Sequence, residues 1–220
     1  MDLYFSPLSG SFTVHVACLE AGLAPTLHRV DRKTKLLADG RPYSSIAPQA
    51  IVPAIGLPDG SVLTETSAIL QYIADPAPAT QLAPRWGTPE RYRLIEWLAF
   101  VSTEVHKKHL WPVFSSKTPE AVKDFGRTTA KPALDHVARH LESHDVLVGD
   151  HFTVADIYLA WALFVAPHGG ISINPYPALK AYVERHRQRA SFAAAFAVEV
   201  PLYTQEAAAG AAPVSRLAAS

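Results

Sequence analysis

Residues 51–67 read Ile51-Val52-Pro53-Ala54-Ile55-Gly56-Leu57-Pro58-Asp59-Gly60-Ser61-Val62-Leu63-Thr64-Glu65-Thr66-Ser67. Two short apolar runs, 51–55 and 62–63, flank Pro58-Asp59-Gly60, a turn whose glycine is free to take a positive φ. The stretch therefore predicts a β-hairpin. Glu65 then opens a helical segment with Ile69, Leu70 and Ile73 on one face, stopped at Asp75-Pro76-Ala77-Pro78 because proline cannot continue a helix.

Working outward toward the N-terminus, residues 2–5 form a short apolar run closed by Pro7 and Gly10, the mark of a first strand. Phe12, Val16, Leu19 and Leu23 recur at helical spacing, with Ser11 as the expected N-cap and Gly22 near the end. Residues 26–30 read as a second strand, and the polar region 32–45 as a loop with at most a short helix. The predicted order is βαβ, a loop, then ββα, over residues 1–78.

Downstream, Pro76, Pro78, Pro84 and Gly87 interrupt any periodicity, so residues 79–87 are expected to be an interdomain linker. From Thr88 helical periods dominate: Leu94, Leu98, Val101 and Val105 form one stripe, and Leu134, Val137 and Leu141 another. Pro132 predicts a kink or break. Thr153-Val154-Ala155-Asp156 is a capping box, with Phe152 and Ile157 as its hydrophobic staple. An all-α domain is expected over 88–205. The small-residue segment 206–220 is expected to be a disordered tail.

The 220 residues balance 20 Lys and Arg against 20 Asp and Glu. No cationic excess drives binding to phosphates, so nucleic acid is not an expected partner. No basic, apolar leader opens the chain and no run suffices for a membrane helix, so no membrane partner is expected and the cytoplasm is the expected compartment. Cys18 stands alone, which rules out an intramolecular disulfide, a CxxC pair and a cysteine-based zinc site.

The βαβ-ββα order, with Val52-Pro53 at the third strand and Glu65-Thr66 after the fourth, resembles the glutathione transferase superfamily. The likeness continues through Glu96-Trp97-Leu98, Thr103-Glu104-Val105-His106-Lys107 and Phe152-Thr153-Val154-Ala155-Asp156. Among its classes the best likeness is to the bacterial beta class, on Ser11, Lys35, Val52, Glu65, His106 and Lys107. The resemblance implies a thioredoxin-like domain followed by a helical bundle, a homodimer, and glutathione as co-substrate for conjugation to a hydrophobic electrophile, in the manner of a detoxification enzyme. It also implies a cysteine just before Ser11, where this chain has Gly10, and an asparagine where it has Ala99.

Each implied site residue has a physical rationale and a plainer alternative. A cis bond before Pro53 is accessible because X-Pro bonds have a small trans preference. Val52 would then pair through its backbone with the tripeptide as an added strand; the alternative is an ordinary trans proline. Glu65 and Thr66 begin a helix whose free amides suit a carboxylate, with Glu65 for the ligand ammonium, unless they are simple caps. Lys35 resembles a lysine that reaches glutathione, or is a solvated surface lysine. His106 and Lys107 resemble residues near the thiol; His106 otherwise clusters with His109, a weak metal signal without a third ligand.

With Gly10 in place of cysteine, the ligand supplies the only thiol. Ser11, assisted by the amides of its helix and by His106, is the expected activator, and a plain N-cap is the alternative. Binding without transfer, and peroxide or disulfide reduction, are the rival functions. Trp111, Phe114, Trp161 and Phe164 line the electrophile pocket or belong to the core.

Overall fold

The computed structural model describes residues 1–210. Its first half is a mixed four-stranded sheet in the order β2-β1-β3-β4. Strand β1 (Asp2–Phe5) pairs in parallel with β2 (Thr26–Arg29), matching Leu3 with Leu27, and antiparallel with β3 (Ala54–Gly56), matching Leu3 with Ile55. Strand β4 (Val62–Thr64) closes the predicted hairpin with Ile55 opposite Leu63. The parallel β1–β2 step requires a crossover, supplied by α1 (Ser11–Glu20). Helix α2 (Thr66–Ala74) follows β4 and packs beside α1.

The second half is helical: α3 (Pro89–Phe100), a π-helical segment (Val101–Leu110), α4 (Trp111–Phe114), α5 (Glu120–Thr128), α6 (Lys131–Leu141), α7 (Val154–Val165), α8 (Pro177–Arg187) and α9 (Ala190–Ala208). Pro132 sits in the first turn of α6, where a missing N–H costs nothing, so the expected interruption is a complete break between α5 and α6. Helix α7 is buried along its whole length because its sequence is apolar all round. Its capping box is formed on both sides, and Asp156 Oδ2 accepts the Thr153 amide at 2.8 Å.

One apolar cluster runs through both halves, from Leu3, Phe12 and Ile69 to Leu98, Tyr158 and Phe192. Helices α7 and α9 lie against α1, so the start of α1 is enclosed by the helical half. Arg91 adds a polar clamp. Its guanidinium donates to Asp75 at 2.7 Å, to Gln71 at 3.0 Å and to the Pro84 carbonyl at 3.3 Å, and stacks over Trp86.

Three expectations need correction. Ser11 is the first residue of α1 and not its cap, the cap position being held by Gly10. The segment 79–87 is aperiodic but anchored: Leu82 is buried and its carbonyl accepts the Val154 amide at 2.9 Å. The tail does not begin at 206, because α9 continues to Ala208 and Glu206 is buried as the partner of Arg32. A long-range ion pair there overrides a featureless local sequence. The rest of the expected tail, 211–220, lies outside the described residues. No helix among the described residues is long and apolar enough to cross a membrane.

Candidate active site

Residues 6–10 connect β1 to α1, and the backbone at Pro7 and Leu8 is held by distant side chains. Ser6 Oγ donates to the Val30 carbonyl at 2.8 Å. Arg32 donates to the Pro7 carbonyl. The Leu8 amide donates to Glu199 Oε2 at 2.7 Å, and the Leu8 carbonyl accepts Trp161 Nε1–H at 3.2 Å. Leu8 is thereby kept at φ +55°, a conformation that L residues seldom adopt. Glu199 is wholly buried on α9 and also meets His15 Nδ1 at 2.9 Å. Burial holds its carboxyl above the ordinary carboxylate range.

Ser11 has no exposed surface. Its hydroxyl oxygen accepts the Ser6 amide at 3.2 Å, lies 3.1 Å from the Ser6 carbonyl and 2.8 Å from Ser9 Oγ. A hydroxyl has one proton to give, and both of its possible acceptors are protein atoms of the same loop. The amides of Ser11, Phe12 and Thr13 are also taken, by Ser9 Oγ, the Ser9 carbonyl and the Gly10 carbonyl. Among the described residues, the Gly10 amide alone of 10–13 has no such bond. The arrangement that sequence reasoning assigned to thiol activation closes on itself.

His106 is brought onto Gly10 from the other half of the molecule. A Cβ built on Gly10 would stand 3.0 Å from His106 Cε1 and 3.7 Å from the Trp161 ring, so the imidazole rests on the start of α1. The ring packs edge-on against Trp161, with centroids 4.8 Å apart, and its Nδ1 lies 2.7 Å from the Tyr158 hydroxyl. Desolvation, aided by the charge of Lys107, lowers the His106 pKa to about 3, so the ring is neutral near pH 7. His106 lies on the π-helical segment, whose i→i+5 bonding widens the coil and shifts successive faces from those of an α-helix. His109 points elsewhere: it is buried, and its Nδ1 lies 3.1 Å from the Gly126 carbonyl against α5.

At the sheet edge the Val52–Pro53 bond is cis. Val52 lies just before β3, outside the strand ladder, and Tyr43 donates to the neighbouring Ile51 carbonyl at 3.3 Å. Glu65 is the N-cap of α2 at φ +69°, exposed and without a side-chain capping bond. Thr66 is buried, and with Ser102 it offsets part of the rise that burial gives the Tyr158 phenol pKa. Lys107 is exposed beside His106, while its neighbour Lys108 pairs with Glu104. Lys35 lies farther along the loop at φ +59°; partial burial and the charges of Arg32 and Lys117 lower its pKa.

The structure thus brings together Gly10, His106, Tyr158 and Trp161, and turns Ser11 inward. Of the aromatic residues, Trp111 is half exposed, Phe114 partly buried, and Trp161 and Phe164 belong to the core. Cys18 is buried, and burial pushes its thiol up to about 12. Tyr158, Trp161 and Glu199 are the participants that sequence reasoning missed in these roles. The one available signal is that Tyr158 places a polar tip in an otherwise apolar helix, where it must find a partner.

Residues 8–75 match the family model of the glutathione S-transferase N-terminal domain, and residues 97–190 that of the C-terminal domain. The chain is 35% identical to "Glutathione S-transferase GstA" of Escherichia coli O157:H7 over 189 residues, covering 86% of this chain and 94% of that protein. A solved beta-class glutathione S-transferase of Sphingomonas chungbukensis is 40% identical with a TM-score of 0.86, covering 90% of this chain and 98% of that one. A sphingomonad glutathione S-transferase solved in complex with glutathione is 37% identical, with the same TM-score and the same coverage.

Proposed function

Since the chain belongs to the glutathione S-transferase family and is a glutathione S-transferase of beta-class likeness, we propose that it joins the glutathione thiolate to small hydrophobic electrophiles with His106, in preference to Ser11, as the group that stabilises the thiolate. The observation that carries this reading is the seating of a neutral imidazole on Gly10, at the start of α1. A free thiol has a pKa of about 8.5, and lowering it by about two units requires about 2.7 kcal/mol. One hydrogen bond to a charged group supplies about 1.5–3 kcal/mol. A His106 N–H with the free Gly10 amide meets that need, whereas the Ser11 hydroxyl is committed inside its loop.

The tripeptide is proposed to lie along Val52 and Pro53 as an added strand, with its γ-glutamyl end at Glu65 and Thr66, and with Lys35 and Lys107 facing its remaining charge. The unbonded start of α2 supports this orientation. The electrophile is proposed to meet the exposed face of Trp111. A homodimer and a cytoplasmic detoxifying role, which the family resemblance implies, complete the proposal.

The deciding experiment follows conjugation of glutathione to an aryl halide while titrating the bound thiol spectroscopically. His106→Gln is expected to raise the bound thiol pKa by about one unit or more and to lower kcat by about tenfold. Ser11→Ala is expected to lower stability by about 1–3 kcal/mol, because it strips the Ser6 amide of its acceptor, and to leave that pKa in place. The reverse pattern would return the role to Ser11.

A further inference from the structure

We propose that Tyr158 is a positioning residue for the transfer reaction: its hydroxyl donates to His106 Nδ1 and fixes the imidazole as the tautomer that carries its proton on Nε2. The proposal rests on the thiolate-stabilising reading of His106 and deepens it. A neutral imidazole has one N–H and one lone pair, and the bond made by one nitrogen decides what the other presents. An Nε2–H favours a nearby thiolate, whereas an Nε2 lone pair repels it. The tautomer therefore determines whether His106 helps or hinders.

The geometry assigns the direction of the bond. The Tyr158 oxygen and His106 Nδ1 are 2.7 Å apart, and Tyr158 is fixed on the fully buried helix α7. Thr66, from the start of α2, and Ser102, from His106's own segment, act on the same phenol and favour its negative end. A phenol has one proton to give, and His106 Nδ1, 2.7 Å away, is the acceptor placed to receive it. Burial pushes the Tyr158 pKa up to about 12, so the phenol keeps that proton near neutral pH. The charged side chains acting on the pair are Lys107 beside His106 and Glu65 at the α2 cap. His106 Nε2 makes no hydrogen bond to the described residues.

The arrangement also connects two ends of one ligand. Thr66 begins the helix proposed to receive the γ-glutamyl group, and His106 stands at the place proposed for the sulfur. Tyr158 meets His106 at 2.7 Å, and Thr66 bears on the electrostatics of its phenol.

The test is Tyr158→Phe, which keeps the ring and removes only the hydroxyl. It is read first by ¹⁵N NMR of the histidine ring nitrogens in ligand-free protein, with His106 assigned by its loss in His106→Gln. The unmutated protein is expected to carry the His106 proton on Nε2, and the variant to show a mixture of tautomers. Glutathione KM is expected to stay within about twofold while kcat falls by about five- to tenfold. A wild-type ring protonated on Nδ1, or a tautomer unchanged in the variant, overturns the proposal. A tautomer that shifts without any change in kcat supports the positioning of the ring and instead overturns the role of His106 in the reaction.

Discussion

The first two helices of the thioredoxin-like domain both begin beside the candidate site, and they begin differently. At α1, the amides of residues 11–13 and the Ser11 hydroxyl are consumed by residues 6–10, and Glu199, Arg32 and Trp161 hold that loop from outside. At α2, the cap residue Glu65 is exposed, makes no side-chain cap, and leaves the Thr66 and Ser67 amides without a bond among the described residues. Both are helix N-termini with the same dipole and the same potential to bind an anion. Only the second keeps the amides of its first helical residues available; at α1, among the described residues, the cap residue Gly10 alone does. Anion binding at a helix start therefore depends less on the helix than on whether the preceding loop has already spent the amides.

The comparison is broken most severely at Glu199. Removing this fully buried carboxylate strips both His15 and the Leu8 amide of their partner, so Glu199→Ala is expected to cost about 3–5 kcal/mol of stability, read from the denaturant midpoint. Glutathione binding at the α2 end should survive in whatever fraction remains folded. A variant of wild-type stability would mean that the loop before α1 holds itself.

The α2 start makes the opposite prediction. Glu65→Gln removes an exposed charge that no described residue pairs with, so stability should change by less than about 0.5 kcal/mol. Loss of a charge-assisted contact of about 1.5–3 kcal/mol should raise the glutathione KM by about tenfold or more. An unchanged KM would remove the distinction between the two helix starts.

An effect of similar size is expected on pH dependence, and it sharpens the position of His106 between them. His106 and His186 are both held at a pKa of about 3, chiefly by desolvation, against an ordinary value near 6.5. Between those values the unfolded chain binds more protons than the folded one, so stability rises with pH and is lost as pH falls from about 6.5 toward 3. Denaturation midpoints at pH 7 and pH 5 should therefore differ, and His106→Gln should reduce the difference. A pH dependence that His106→Gln leaves unchanged would place the His106 ring in contact with water.

The local parts of this architecture were legible. The hairpin around Gly60, the stop at Pro76, the helix start at Glu65 and the Thr153–Asp156 box each depend on residues within a few positions of one another, where backbone geometry and turn chemistry act directly. Ser11 was legible only as a polar residue at a helix start. That Ser6 and Ser9 fold back to engage its hydroxyl depends on how β1 hands over to α1, and spacing does not encode it.

By itself the sequence determined the order of elements, the sheet with its hairpin, the helical second half and, through resemblance, the glutathione transferase family. It also singled out Val52, Pro53, Glu65, Thr66 and His106 as candidates for the site. Only the tertiary structure decided which of the polar groups remain free to act: Tyr158 reaches His106 across 52 positions and Glu199 reaches Leu8 across 191. The reason is that a hydrogen bond, once made inside the protein, withdraws its donor from any ligand. The partners that make or leave those bonds are set by packing between distant segments.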